Sequence, residues 1–157
     1  MNYKYFDHGD PSICENILRS LPDWFGLEES IVDYVEKSRI HPMLIVFDND
    51  KPIGFLSLKN HSAYTSEIYV MGIITKYHRS GIGRKLLTEV EKYLIEKKIE
   101  FLQVKTLSPN RECDHYKKTR LFYQSYGFRE VETFPTLWDE NNPCLLMIKS
   151  VEGVRDE

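Results

Sequence analysis

Tyr77–Leu87 reads YHRSGIGRKLL. Gly81 and Gly83 stand one residue apart, directly ahead of an obvious helix. The first amides of a helix have no partner within it, and the aligned peptide dipoles make that end positive. Glycine leaves those amides uncovered, so the stretch predicts a cradle for an anion, phosphate oxygens above all. Arg79, Arg84 and Lys85 add positive charge. A P-loop requires GxxxxGK[ST], which is not here. A dinucleotide fingerprint requires a third glycine where Leu86 stands, and it normally follows the first strand of a repeated parallel unit. The pyrophosphate of coenzyme A is the third candidate. The plain alternative is that the two glycines only make a tight turn.

Working outward, GRKLLTEVEKYLIEKK places Leu86, Val90, Tyr93 and Leu94 on one stripe, with Arg84, Glu91, Lys92 and Glu96 largely off it. Before the glycines, SEIYVMGII is apolar on both faces and predicts a central strand. After the helix, IEFLQVKT predicts another. The strand–helix–strand unit from Glu67 to Thr106 therefore predicts a parallel, right-handed crossover. Farther upstream, MLIVFDNDKPIGFLSLKN predicts two strands joined by a turn at Asp48–Lys51. Asp10 and Pro11 read as N-cap and first helical residue of a helix reaching Ser20. LPDWFGLEES breaks it, and a second helix is expected from Glu28 to about Arg39, with Ile31, Tyr34 and Val35 at helical spacing. Downstream, the polar SPNRECD leads to a helix from Tyr116 to Tyr126, stopped by Gly127. Two final strands flank LWDENNP, and MNYKYF shows no clear strand. The order predicts an α/β (α+β) single domain spanning residues 1–157, with helices around a mixed, mostly antiparallel sheet.

Composition narrows the function. A net charge of −3 gives no support to nucleic-acid binding or to a polybasic membrane contact. No apolar run approaches the ~20 residues of a membrane helix. MNYKYFDHGD has no apolar signal-peptide core. Cys14, Cys113 and Cys144 are odd in number and widely spaced, so free thiols in a reducing, cytoplasmic setting are expected. Neither they nor the five histidines offer zinc-ligand spacing, so no metal is expected. Oligomeric state is not encoded legibly; a homodimer is the commonest assembly.

HRSGIGRKLL resembles the Q/R-x-x-G-x-G/A motif of the GNAT superfamily of acetyl-CoA-dependent N-acetyltransferases. EIYVMGII resembles that family's central, acyl-binding strand with its glutamate. RLFYQSYGF, Arg120–Phe128, resembles its later x-x-F-Y-x-x-x-G-F element. Order and spacing of the three agree from Glu67 to Phe128. The resemblance implies acetyl-CoA as donor, held by His78, Arg79, Ser80, Gly81, Ile82, Gly83 and Arg84, with its thioester against the backbone of Met71, Gly72 and Ile73. The position usually occupied by Gln or Arg is His78, whose imidazole can still face an anion. The asparagine often found seven residues before the family's tyrosine is Tyr116 here, so that amide contact is not carried over.

Acetyl transfer to an amine needs a proton acceptor, stabilisation of developing negative charge and a proton for the departing thiolate. Glu67 opens an apolar strand, where desolvation is expected to raise its pKa, and it is the candidate base, acting through water. Tyr123 occupies the family's tyrosine position and is the candidate acid. The resemblance also puts Trp24 and Phe25, in the break between the first two helices, and Trp138, near the final hairpin, beside the acceptor. Tyr116 reads as packing or substrate contact. Asp23, Glu28, Glu29 and Asp33 give the second helix an acidic character that suits a cationic amine, although acids also favour helix N-termini. The expected function is transfer of acetyl from acetyl-CoA directly to a primary amine of a small molecule or a protein. A non-catalytic acyl-CoA sensor and transfer of another acyl group are the alternatives, and the acceptor stays open.

Overall fold

A computed structural model describes residues 1–151. Its chain order is β1 (Asn2–Phe6), α1 (Pro11–Arg19), α2 (Glu28–Lys37), β2 (Met43–Asp48), β3 (Lys51–Asn60), β4 (Thr65–Ile73), α3 (Ile82–Glu96), β5 (Phe101–Leu107), α4 (Asp114–Tyr126), β6 (Arg129–Asp139) and β7 (Asn142–Ser150). The strands form one sheet in the order β1-β2-β3-β4-β5-β7-β6. Every neighbouring pair is antiparallel except β4 and β5. That parallel pair is the one the α3 crossover demands, because antiparallel neighbours can be joined by a hairpin and parallel ones cannot.

Local chemistry sets most boundaries. The Asp10 carboxylate accepts the amides of Ser12 and Ile13 at 3.0 and 3.2 Å, a cap that stabilises α1 by about 1 kcal/mol. The β2–β3 hairpin turns at Asn49, which takes the left-handed conformation at φ 55° and is among the few non-glycine residues that tolerate it. Gly127 ends α4 at φ 118°.

Several boundaries depart from the sequence reading, among them the start of α4, which lies at Asp114 rather than Tyr116. Residues 2–6 form an edge strand that the sequence did not reveal: its pattern alternates exposed with half-buried positions and holds no fully buried residue. Its pairing with β2 runs from Asn2 opposite Phe47 to Phe6 opposite Met43, a long-range contact without a local signature. The second helix stops at Lys37, two residues short of the expected end. The strand β6 continues through Leu137, Trp138 and Asp139, leaving Glu140 and Asn141 as the turn.

The sheet separates two apolar cores. On one face, Cys14, Ile17 and Leu18 of α1 pack on Met43, Ile45, Phe55 and Val70. On the other, Ile82, Leu86, Leu87, Val90 and Leu94 of α3 join Leu56, Ile68, Val104 and Tyr123. Leu86 and Leu87 are fully buried, each stabilising the fold by about 1.5–3 kcal/mol.

Two irregularities prepare a site. The β3–β4 register slips where Ser57 faces Val70 and Leu58 faces Ile68, so Tyr69 is the extra residue of a β-bulge. Bulges bend a strand and re-aim its side chains. Beyond that point β4 and β5 part: their ladder ends at Ile68 opposite Val104, although β4 continues to Ile73 and β5 to Leu107.

Candidate active site

Where β4 and β5 part, a cleft of about 890 Å³ opens across the molecule. One wall is the β4 segment from Ile68 to Ile73, and Lys105 and Thr106 of β5 stand opposite. The N-terminus of α3 closes one end, contributing Gly81, Gly83 and Arg84 after Arg79 of the preceding loop. The α1–α2 connection, α2, α4 and Trp138 close the other.

At the α3 end the amides are bare. No side chain caps this helix, and its N-cap, Gly81, is left-handed at φ 84°. Arg79 is also left-handed at φ 61°, so the loop curls and gathers its N–H groups. A Cβ placed on Gly81 would meet nothing within 4 Å; the space in front of it is open. Gly83 is glycine for a different reason. A Cβ there would lie 3.1 Å from the ring of Phe122 and 3.4 Å from Ile73, so this residue allows α4 to pack against the start of α3. Ser80 and Ile82 do not line the cleft. The Ser80 hydroxyl donates to the Tyr77 carbonyl, and Ile82 is buried in the core. His78 lines it, but its Nε2 donates to the Ile73 carbonyl at 2.6 Å and its ring packs edge-on to Trp24.

Glu67 is 4% exposed, and its Oε1 accepts three hydrogen bonds: from His61 Nε2 at 2.7 Å, Gln103 Nε2 at 2.8 Å and Lys105 Nζ at 3.0 Å. Burial pushes its pKa up, but these donors outweigh burial and hold it below the ordinary carboxylate value. The expected rise is thus corrected: desolvation alone was legible from the strand, whereas the donors come from β5 and the β3–β4 connection. Lys105 lines the cleft, whereas Glu67 does not. No hydrogen bond among the described residues reaches Oε2.

Tyr123 lines the cleft from α4, 7% exposed. Its hydroxyl makes no hydrogen bond to the described residues. Burial pushes its pKa well above the usual tyrosine value, so the phenol carries its proton at any physiological pH. Thr106 Oγ1 is a second polar atom without a partner, buried on the cleft wall. Among the described residues three other buried polar atoms, in His41, Ser57 and Glu91, also lack a hydrogen-bond partner, but of the four residues Thr106 alone lines the cleft. Tyr116 donates to the Trp24 carbonyl at 2.6 Å, tying α4 to the α1–α2 connection.

The sequence reading brought Trp24, Phe25, Tyr116 and Trp138 to this region, and all four line the cleft. It did not find Tyr34, Tyr69, Lys105, Thr106 or Phe122. Tyr34 read as part of the apolar stripe of α2. A signal existed for Tyr69: it lies two residues beyond Glu67, as side chains sharing a strand face do. The acidic character of α2 is mostly internal. Glu28 is paired with Arg19 at 2.7 Å, and Asp33 accepts from Tyr69 Oη at 2.9 Å.

Among the described residues no cluster of His, Cys, Asp and Glu could hold a metal ion, the three cysteines are free, and no helix is long and apolar enough to cross a membrane.

The splayed strands and the uncapped helix suit a coenzyme A-dependent acyltransferase, and comparison with known proteins agrees. Residues 39–130, more than half the chain, match the family model described as an acetyltransferase (GNAT) domain. The chain belongs to the GNAT family: it is an acetyl-CoA-dependent N-acetyltransferase, with acetyl-CoA as donor. Curated protein sequences give no match. Solved structures similar to it include a GNAT-family protein from Desulfovibrio desulfuricans, with 16% identity and a TM-score of 0.83 over 96% of this chain and 99% of that one. The aminoglycoside 6'-N-acetyltransferase from Enterococcus faecium aligns with 18% identity and a TM-score of 0.74 over 99% and 100% of the two chains. A GNAT-family acetyltransferase from Elizabethkingia anophelis, solved with acetyl-CoA bound, gives 19% and 0.70 over 95% and 98%. At these identities the structures share the fold.

Proposed function

We propose that the protein moves acetyl from acetyl-CoA directly to a primary amine, with Glu67 as base through water and Tyr123 as acid. One juxtaposition carries this reading: the gap between β4 and β5 runs from the bare N-terminus of α3 to the free hydroxyl of Tyr123. The amides of Ile82, Gly83 and Arg84, helped by the Arg79 and Arg84 guanidinium groups, would hold the pyrophosphate. The freed edge of β4 at Met71–Ile73 and the Thr106 hydroxyl supply hydrogen-bonding groups for the pantetheine arm. The donor molecule itself brings the activated acyl group.

Glu67 is ionised throughout the physiological range, because its donors stabilise the charge. It is consequently a weak base. Its role is to order a water on Oε2 that draws the proton from the bound ammonium, and the pH dependence of the reaction follows the amine rather than a raised carboxylate. Tyr123 donates its phenolic proton to the sulfur as the thioester bond breaks. Burial keeps the phenol protonated, so its O–H is available to hydrogen-bond and donate as negative charge develops on the sulfur.

The test pairs Glu67→Gln and Tyr123→Phe in a thiol-release assay with calorimetric measurement of acetyl-CoA affinity. Each variant is expected to lose about 10-fold or more in kcat, with the acetyl-CoA Kd within about threefold of the parent. Parent-like kcat in a folded variant removes that residue from the mechanism.

A further inference from the structure

The acceptor end of the cleft is walled by rings from four elements. Trp24 and Phe25 come from the α1–α2 connection, Tyr34 from α2, Tyr69 from the β4 bulge and Trp138 from β6. Phe25 stands edge-to-face with Tyr34, centroids 6.0 Å apart, and Tyr34 with Tyr69 at 5.5 Å. The Tyr116 hydroxyl fixes the connection through the Trp24 carbonyl, so this wall is held in place from the opposite side of the cleft.

Charge at this end is sparse. Asp23 is the single carboxylate among the cleft-lining residues, and Lys105 of β5 and Lys118 of α4 are cations; Arg79 and Arg84 lie at the α3 end. Even Asp23 has His115 Nε2 at 3.7 Å. Of the neighbouring acids, Asp33 accepts from Tyr69 of the wall itself and pairs with Lys37, Glu28 pairs with Arg19, and Glu67 is held by its three donors. A substrate carrying several ammonium groups would have to exchange water for carboxylates that the cleft does not offer, and unpaired charge in a partly desolvated site is costly. Aromatic surface is what the cleft offers in quantity. It rewards removal of a flat apolar body from water and tolerates one ammonium against a ring.

We propose that the acceptor is a small monoamine whose primary amine is carried on an aromatic body, an aralkylamine, seated among Trp24, Phe25, Tyr34, Tyr69 and Trp138. This rests on the transferase reading above and names the substrate class of the same site.

With acetyl-CoA saturating, thiol release is measured for 2-phenylethylamine, tryptamine, kanamycin, spermidine and a short peptide with a free N-terminus. The kcat/KM for the two aralkylamines is expected to exceed that for each of the others by about tenfold or more. Trp24→Ala and Trp138→Ala should raise the KM for tryptamine by about fivefold or more with kcat little changed, the mark of lost uniform binding. A preference for kanamycin, spermidine or the peptide overturns the inference and leaves the transferase standing. A second readout does not need turnover. Trp24 and Trp138 are the chain's two tryptophans, so 2-phenylethylamine titrated into the coenzyme A-bound protein should change its intrinsic fluorescence. A change that Trp138→Phe diminishes supports the seat even where catalysis is slow. No change up to about 10 mM, a concentration that saturates millimolar sites, overturns it. Failure of acetyl-CoA to bind in calorimetry instead overturns the transferase reading beneath it.

Discussion

Gly81→Glu separates the architecture of the anion cradle from its chemistry. Gly81 is left-handed, and a Cβ added there meets nothing within 4 Å, so the substitution creates no clash inside the protein. Its cost to the fold is backbone strain alone, about 1–2 kcal/mol, which lowers Tm by about 2–8 °C in a chain of this size. The cost to binding is electrostatic. A carboxylate about 5 Å from two phosphate charges repels them by about 1.7 kcal/mol even at the dielectric constant of bulk water, and by more against the protein. The new side chain can also fold back onto the amides of Ile82 and Gly83 and compete for the same donors. Acetyl-CoA affinity should therefore fall by about twentyfold or more, and the defect should shrink as salt is raised. The control is Gly81→Asn, which tolerates the left-handed conformation and adds no charge; it should bind within a few-fold of the parent. Calorimetry on both variants, with a thermal melt of each, is the assay. Parent-like affinity in a folded Gly81→Glu protein would refute the cradle.

Three further predictions come from the same geometry. Glu67 has a folded pKa below its unfolded value near 4.3, so its contribution to stability is present above that value and lost as pH falls through the folded one; denaturant titrations between about pH 5 and 3 should show a shallower acid loss in Glu67→Gln than in the parent. Tyr116→Phe removes the hydrogen bond to the Trp24 carbonyl and should cost about 0.5–1.5 kcal/mol in denaturant unfolding, raising the amine KM while acetyl-CoA affinity stays unchanged. Gly127→Ala forces a side chain to φ 118° with its Cβ 3.1 Å from Lys149 Cε; calorimetric melting should show a loss of at least about 1 kcal/mol, and an unaltered Tm would mean that the α4 terminus relaxes freely.

The sequence by itself determined the parts whose causes are local. Asp10–Pro11 starts a helix and Gly127 stops one through contacts with residues a turn away. The left-handed Gly81 opens α3 with no side chain over its first amides. The apolar run in β4 and the amphipathic stripe of α3 required a buried parallel unit, and family motifs from Glu67 to Phe128 supplied the donor.

Tertiary structure decided the rest, because the deciding partners are far apart in the chain. The acidity of Glu67 depends on Gln103 and Lys105, 36 and 38 residues away, so burial inferred from its own strand gave the wrong sign. Gly83 answers to Phe122 of α4, which no spacing within the glycine motif reveals. Tyr34 and Tyr69 look like core residues in sequence and become cleft wall only because β4 bulges at Tyr69 and then leaves β5. Periodicity reports which face of an element is apolar; whether that face meets a neighbouring strand or an open cleft is set by strand order and register, which are properties of the whole sheet.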